Sequence, residues 1–372
     1  MIYLDNGATS MNKPPEVGRA MGRARACGAK PGRGGYRASM EAAETGYRCR
    51  ETAGKLFSCP PEQVVFTSNC THGLNMAIRT LVKPGARVVI SSYEHKAVTR
   101  PLHALGAEIQ VAGRHLFDWA DTLEDFEGKL KKGVDAAVFT HVSNVFGYIL
   151  PVEELASLCR RYGVPFVVDA AQSAGMLPVN LEKWGADFIA MPGHKGLLGP
   201  QGTGLLLCGR MPEALLQGGT GSLSQQQEMP DFLPDREEAG TLNVPGIAGL
   251  DAGMRWVTRT GVQRIFARQT RQRQRCAEGL QKLDFQVFAG EHQGGTVSFL
   301  PKMDCQTAAD YFGKRGIALR GGLHCAPLAH ESAGTLETGT LRVSFGHEAN
   351  DSQTTEFLKI AANLTPSCTK YF

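Results

Sequence analysis

Residues 151–171, PVEELASLCRRYGVPFVVDAA, combine a helix signal with a strand signal. Pro151 and two glutamates open the helical pattern and Gly163 closes it, which are the residue types that helix starts and stops favour. The residues that follow, VPFVVDAA, are mainly apolar without alternation. Such strands are typical of a parallel sheet covered by helices on both faces. This stretch therefore predicts an α/β fold.

Similar short apolar runs recur through the middle of the chain, with helical patterns between them. They cover residues 86–92, 107–113, 135–143, 164–171, 186–193 and 202–209. In sheets of this kind, ligands collect at the carboxyl ends of the strands. The polar residues at those ends are His95, Asn144, Asp169, Gln172, His194 and Lys195. We therefore take these six as candidate binding residues.

The last third of the chain predicts a second, smaller α/β unit. A turn-rich segment at 218–246 leads into a long helical pattern that ends near residue 283. Strand-like runs follow at 294–300, 316–322 and 340–346. We assign residues 16–247 to a large domain, and residues 248–372 together with 1–15 to a small one. A chain of 372 residues is long enough for two or three domains.

Charge and cysteine content indicate an ordinary cytoplasmic protein. The net charge of +4 is mild and favours small anions over nucleic acid. A basic helix face between residues 255 and 275 is interpreted as solvated, with an acidic partner or RNA as the alternative; its arginines are Arg255, Arg259, Arg264, Arg268, Arg271 and Arg275. The ten cysteines include no Cys-x-x-Cys pair, so we expect reduced thiols. No signal-peptide pattern or long apolar run occurs, so we expect no membrane segment.

The stretch 191–204, MPGHKGLLGPQGTG, places Lys195 among five glycines. A nucleotide P-loop needs its lysine after the glycines, where the helix begins, whereas this lysine precedes most of them. A lysine held at a strand end is suited instead to a Schiff base with a carbonyl cofactor. Lys195 is thus the candidate anchor for such a cofactor.

These motifs together resemble those of the class V aminotransferase family, and specifically the cysteine desulfurases. The resemblance runs from YLDNGATS near the start to LRVSFG near the end, through TSNCTHGLN, THVSNVFG, VVDAAQSAG and RGGLHCAPL. It implies the fold type I of enzymes dependent on pyridoxal 5'-phosphate (PLP), with a mostly parallel seven-stranded sheet. The short stretch from Cys325 to Arg342 resembles the second desulfurase group, which includes proteins like selenocysteine lyase.

The resemblance also assigns roles. It implies that Lys195 binds PLP, that Asp169 contacts the ring nitrogen, that Gln172 contacts the ring hydroxyl, and that His95 stacks on the ring and moves protons. The phosphate ligands implied are Cys70, Thr71, His194 and, from the partner of a homodimer, Thr241. For the substrate carboxylate it implies Arg342, Asn144 and Arg320. Cys325 would attack the sulfur of L-cysteine, releasing L-alanine and keeping a persulfide for a thiol or acceptor protein, as in iron-sulfur cluster assembly.

Three other interpretations stay open. The chain could be a selenocysteine lyase, a cysteine C-S lyase or a transaminase of the same fold, none of which needs Cys325. It could be an idle sulfur carrier or scaffold that binds a partner through the Arg255–Arg275 face. His324, Cys325 and His330 could bind zinc, but no fourth ligand is evident, so we expect no metal.

Overall fold

The computed structural model of the protein describes residues 1–32 and 34–364. The end of the predicted small domain, residues 365–372, lies outside the described residues. Within the described ranges, no helix is both long and apolar enough to cross a membrane.

Strands and α-helices alternate through most of the described chain. The strands are β1 (Ile2–Tyr3), β2 (Val64–Thr67), β3 (Arg87–Ser91), β4 (Glu108–Ala112), β5 (Ala136–Thr140), β6 (Phe166–Asp169), β7 (Phe188–Pro192), β8 (Gly204–Cys208), β9 (Gln286–Phe288), β10 (Thr296–Leu300), β11 (Ile317–Ala318), β12 (Arg320–Gly322) and β13 (Thr340–Ser344). The α-helices are α1 (Pro15–Cys27), α2 (Arg37–Phe57), α3 (Cys70–Leu81), α4 (Lys96–Ala104), α5 (Trp119–Lys131), α6 (Val152–Arg161), α7 (Leu181–Trp184), α8 (Val244–Thr260), α9 (Val262–Lys282), α10 (Cys305–Gly313), α11 (Pro327–Ser332) and α12 (Asp351–Ala361).

The central sheet has seven strands in the order β2-β8-β7-β6-β5-β3-β4. Only β8 runs antiparallel to its neighbours, so the predicted mostly parallel α/β sheet is confirmed. The strands β5, β6 and β7 are buried along their whole length, which explains their unbroken apolar runs. Six of the strands were identified from their sequence, and β2 is the seventh.

The second sheet is antiparallel, with the order β12-β13-β10-β9. The predicted strand at 316–322 is two short strands, because β11 pairs instead with β1 near the amino terminus. Leu4 also joins the apolar cluster of this unit, which includes Leu341 and Phe357. These contacts support our proposal that residues 1–15 belong with the small domain.

The long helical pattern before residue 283 is two helices. Gly261, with φ of 90°, ends α8 and starts α9, and this left-handed backbone favours glycine. The proposed domain boundary at 247/248 falls inside α8, so the division of the chain stays a prediction. The break also divides the basic face of Arg255–Arg275 between two helices.

Most arginines of that face have acidic partners. Arg255 pairs with Asp251 at 3.1 Å and Arg259 with Glu16 at 2.6 Å. Asp351 accepts from both Arg271 and Arg275. Four of the six arginines therefore have an acidic partner within the chain, which weakens the interpretation of this face as a surface for an acidic partner or RNA.

Candidate active site

The carboxyl ends of the parallel strands deliver the predicted residues to one cavity. Asp169 is the last residue of β6, and Lys195 lies three residues after β7. His95 is the N-cap of α4, which follows β3. The cavity has a volume of about 210 Å³, and eight of the predicted site residues line it, namely Cys70, Thr71, His95, Asn144, Asp169, Gln172, His194 and Lys195.

Lys195 is placed as a reactive amine rather than as a surface lysine. Burial lowers its pKa below the usual value, and the nearby Asp169 carboxylate opposes that shift. No described residue hydrogen-bonds its Nζ atom, while its backbone carbonyl accepts from Ser10 Oγ at 3.1 Å. A partly buried amine with a lowered pKa has a larger unprotonated fraction, which is the nucleophilic form.

One carboxylate oxygen of Asp169 accepts hydrogen bonds from the protein and the other does not. Its Oδ1 accepts from the backbone N–H of Ala171 at 2.8 Å and from the Cys70 thiol at 3.4 Å. No described residue donates to Oδ2. The side chain is fixed by its first oxygen, so the second can hold a cationic N–H in the cavity.

His95 is a neutral imidazole of known tautomer. Its Nδ1 accepts from the backbone N–H of Ala97 at 3.0 Å, so the ring proton is on Nε2. Burial lowers its pKa, although Asp169 acts in the opposite direction. The ring can therefore donate from Nε2 while its helix cap holds it in place.

The amino terminus of α3 offers an anion site. Asn69 caps the helix by accepting from the N–H of His72 at 2.9 Å. The backbone amides of Cys70 and Thr71 have no acceptor among the described residues, and both residues line the cavity. Free amides and the helix dipole together favour a phosphate at this position.

His194 and Gln172 are tied to the amino-terminal segment. The Nδ1 of His194 lies 3.0 Å from Thr9 Oγ1, and burial lowers its pKa to about 4. Gln172 donates from Nε2 to the carbonyl of Gly7 at 2.9 Å. The amide oxygen of Gln172 stays free of described donors, so it can accept from a ring hydroxyl.

These features fit PLP. The cofactor has an aldehyde, a ring nitrogen that must stay protonated, and a phosphate. The cavity presents an amine at Lys195, an unpaired carboxylate oxygen at Asp169, and free amides at Cys70 and Thr71. The aldehyde, the ring nitrogen and the phosphate can therefore each bind a protein group that has no hydrogen-bond partner among the described residues.

Arg342 lies beside this cavity on β13. It is 2% exposed, and its Nη2 donates to Asp5 Oδ1 at 2.5 Å while Nη1 donates to the carbonyl of Asn144 at 2.9 Å. Burial lowers its pKa, and Asp5 opposes the shift. Its Nε is buried without an acceptor in the described chain, so a donor remains for a further anion.

Arg320 stands opposite Arg342 in the antiparallel pair of β12 and β13. Directly opposed residues share one face of a sheet, so both cations lie on the same side. Arg320 is exposed, whereas Arg342 is buried. The pair makes this face of the small sheet favourable for a carboxylate.

Cys325 is an exposed thiol on a fixed loop. Its own φ is 59° and that of His324 is 48°, two consecutive left-handed residues without glycine. Asn144 Nδ2 donates to the carbonyl of His324, and the N–H of Lys96 donates to that of Cys325, both at 2.8 Å. Because Asn144 lines the cavity and Lys96 follows His95, these bonds hold the backbone of the Cys325 loop at its border.

The ring of the histidine beside Cys325 is hydrogen-bonded away from the thiol. His324 is buried, with its Nε2 3.1 Å from the carbonyl oxygen of Thr340, and burial holds its pKa well below the usual value. His330 Nδ1 lies 2.8 Å from Thr335 Oγ1. Neither of these hydrogen bonds involves the Cys325 thiol. No group of three possible metal ligands occurs among the described residues.

The other described cysteines are protected. Eight are free but buried or partly buried, namely Cys27, Cys49, Cys59, Cys70, Cys159, Cys208, Cys276 and Cys305. Burial raises the pKa of most of them, to about 12 for Cys59 and Cys159. Cys368 lies outside the described residues.

Thr241 does not reach the cavity of its own chain. It is exposed and lines a different depression of about 390 Å³, together with Lys30, Tyr47 and Arg50. Its predicted role belongs to a partner subunit, so the structure of one chain leaves it a prediction.

The residues that precede Ser10 contact the site in a way that no motif indicated. Asp5 binds Arg342, Gly7 accepts from Gln172, and Thr9 contacts His194. The polar run DNGATS carries no helix or strand pattern of its own. These contacts could not be predicted because this run lies far along the chain from the other motifs.

Comparison with known proteins identifies the family. The probable cysteine desulfurases of Methanothermobacter thermautotrophicus and Pyrococcus abyssi are each 31% identical to the chain, covering 96% and 99% of it and 92% and 95% of their own lengths. The solved apo structure of a cysteine desulfurase from Thermococcus onnurineus NA1 is 33% identical, with a TM-score of 0.90 over 98% of this chain and 94% of that one. The family model for aminotransferase class-V matches residues 2–357. The chain therefore belongs to the class V aminotransferase family.

Proposed function

We propose that this chain is a PLP-dependent cysteine desulfurase, which converts L-cysteine to L-alanine and carries the released sulfur as a persulfide on Cys325. The observation that carries the proposal is the position of that thiol. Cys325 is exposed, and Asn144 and Lys96 hold its loop at the border of a cavity that contains Lys195 and Asp169. The lyases and the transaminase of the same fold need the amine for PLP but not the accessible thiol.

PLP, when bound, supplies an electron sink for the negative charge that develops at the substrate's α-carbon. Asp169 Oδ2 would keep the ring nitrogen protonated, and the free amides at the start of α3 would hold the phosphate. Lys195 Nζ would remove the α-proton, and burial favours this by lowering its pKa. His95, with its proton on Nε2, would cover the ring and exclude water.

Substrate binding is assigned to the edge formed by Arg342 and Asn144. Arg342 binds the carboxylate of L-cysteine through donors that Asp5 and Asn144 leave free. Arg320 adds positive charge from the neighbouring strand. The carboxylate is thereby placed on the same side as the Cys325 loop, since Asn144 contacts both Arg342 and His324.

Sulfur transfer is a substitution at the substrate's sulfur atom. The Cys325 thiolate forms an S–S bond to that sulfur while the substrate's C–S bond breaks, and its electron pair returns to the carbon. After protonation the carbon product leaves as L-alanine, so cysteine plus enzyme thiol gives alanine plus enzyme persulfide. A thiol or an acceptor protein then removes the outer sulfur and restores the thiol.

A second candidate is a lyase of the same fold that expels sulfur without Cys325, acting on cysteine or selenocysteine. One observation favours it: no described basic side chain hydrogen-bonds Cys325 Sγ, and the ring of His324 is directed to Thr340 instead. A nucleophilic thiol usually needs a cationic neighbour. The lyase therefore remains the competitor that an experiment must exclude.

The assembly and the location belong to the proposal as well. We propose a homodimer in which Thr241 of each subunit completes the phosphate site of the other. The exposed position of Thr241, away from its own cavity, supports this arrangement. Unpaired cysteines favour a reducing compartment, so we place the reaction in the cytoplasm and expect its sulfur to serve iron-sulfur cluster assembly or a similar acceptor.

The test is alanine formation from L-cysteine with a reducing thiol present. We would compare the parent with Cys325→Ser and with Cys27→Ser, a matched change at a partly buried thiol, after confirming PLP in each by absorbance. Alanine from the parent and from Cys27→Ser but not from Cys325→Ser supports the desulfurase. Equal alanine from all three removes Cys325 from the reaction and favours the lyase.

A further inference from the structure

The amino-terminal segment formed by residues 4–10 crosses between the two sheets. We call it the N-terminal strap. At one end Asp5 forms a bridge with Ser344 on β13, and the N–H of Gly7 donates to Ser344 Oγ at 2.8 Å. At the other end Ser10 Oγ donates to the carbonyls of His194 and Lys195 at 3.0 and 3.1 Å. The strap thus joins the strand that carries Arg342 to the loop that carries Lys195.

Two groups of the strap define where the Arg342 guanidinium can lie. The carboxylate of Asp5 accepts from Arg342 Nη2 at 2.5 Å; the Arg342 side chain is 2% exposed and the Asp5 side chain 19%. A β-carbon at Gly7 would lie 3.1 Å from Arg342 Cζ, so the strap backbone packs directly on the guanidinium. Tyr3 OH donates to the carbonyls of Asp5 and Thr9, at 3.1 and 2.9 Å, and keeps this turn closed.

A buried guanidinium needs a permanent counter-charge. Among the described residues, Asp5 is the acidic side chain that pairs with Arg342, and the carbonyl of Asn144 is the other acceptor. Removing one partner of a buried pair leaves a charge that the interior does not solvate. Asp5 therefore keeps Arg342 charged and oriented before any substrate carboxylate arrives, while the buried Nε stays without an acceptor.

We propose that Asp5 is a positioning residue that fixes Arg342 for the substrate's carboxylate. This inference rests on the proposed function, because it assigns the carboxylate to Arg342. The carboxylate of Asp5 occupies part of the guanidinium and leaves Nε and the remaining amino hydrogens for the substrate. Asp5 acts through Arg342 and is not expected to take part in proton or sulfur transfer.

The experiment compares substrates with and without a carboxylate. Asp5→Asn keeps the shape of the side chain and removes its charge, and Asp351→Asn is the matched control because Asp351 pairs with arginines at the surface. Kinetics are measured on the PLP-loaded enzyme with L-cysteine and with L-cysteine methyl ester. Binding of L-alanine is measured separately by titration of the cofactor absorbance.

We expect Asp5→Asn to raise KM for L-cysteine and Kd for L-alanine about tenfold, since one charge-assisted hydrogen bond fixes the guanidinium. The turnover number kcat and the kinetics with the methyl ester should change less than about threefold, and the control should match the parent. If Asp5→Asn gives no soluble protein, Gly7→Ala displaces the same guanidinium sterically and should show the same split between substrates.

Equal losses with both substrates would assign Asp5 a structural role and overturn the proposal. An unchanged or lower KM for L-cysteine would also overturn it, because Asp5 would then compete with the substrate instead of orienting Arg342. A parent enzyme that forms no alanine would contradict the proposed function, and the L-alanine titration would still decide between these outcomes for Asp5.

Discussion

Arg50 and Glu238 form a buried ion pair that we expect to stabilise the start of the cofactor site. Arg50 Nη2 lies 2.6 Å from Glu238 Oε2, and the side chains are 9% and 6% exposed. Glu238 Oε1 also accepts from the N–H of Phe66 at 2.7 Å, on the free edge of β2. Burial raises the pKa of Glu238 despite the arginine, so desolvation outweighs the attraction between the charges.

The perturbation is Glu238→Gln, which keeps an acceptor for Phe66 and leaves Arg50 as an unpaired buried cation. Breaking one side of such a pair costs about 3–5 kcal/mol. With an unfolding entropy of about 2.1 cal/mol/K per residue, 4 kcal/mol corresponds to a fall of about 5 °C in Tm for a chain of 372 residues. Combining it with Arg50→Met should restore more than half of the lost free energy of unfolding, because no buried charge remains.

The assay is urea unfolding of the parent, the two single variants and the double variant. Glu213→Gln is the matched control, since the Lys83–Glu213 pair is more than half exposed on both sides, and it should cost less than about 1 kcal/mol. Our reasoning is refuted if Glu238→Gln costs no more than the control, or if the double variant is less stable than both single variants.

Three further predictions concern buried titratable groups. Burial raises the pKa of Glu94 to about 8, so its folded form resists ionisation and the free energy of unfolding falls as pH rises from about 4.5 to 8. Glu94→Gln should remove up to about 3 kcal/mol of that fall, measured by urea unfolding at pH 5 and 8. Burial lowers the pKa of His141 to about 3, so the free energy of unfolding falls as pH falls below about 6.5. His141→Phe should reduce the slope of that free energy against pH by up to about 1.4 kcal/mol per pH unit. Lys195→Ala should abolish the absorbance of amine-bound PLP and alanine formation together; a variant that keeps both would exclude Lys195 as the anchor.

The elements that could be predicted from the sequence are those that a local run of one residue type determines. Consecutive apolar residues identified β5, β6 and β7, and polar residues after each strand identified Asn144, Asp169 and Lys195 at one edge of the sheet. Parallel strands bring their carboxyl ends together whatever lies between them. For this reason six polar residues that line the cavity were predictable without knowledge of side-chain contacts.

Contacts between distant segments were not predictable. The contact of Asp5 with Arg342 joins residues 337 positions apart, and the neighbouring strands β1 and β11 have two residues each and carry no pattern of their own. The orientation of His324 depends on left-handed backbone angles that favour glycine or asparagine, and the sequence has neither there. The break at Gly261 was hidden because a single glycine is tolerated inside many helices.

The burial of most cysteines limits which thiol another molecule can reach. Among the nine described cysteines, Cys325 alone is exposed. Thiol exchange requires a thiolate that another sulfur can approach, and six of the other eight are buried away from solvent. In the proposed reaction, the exposure of Cys325 therefore requires a sulfur acceptor to approach the loop of Cys325 from solvent.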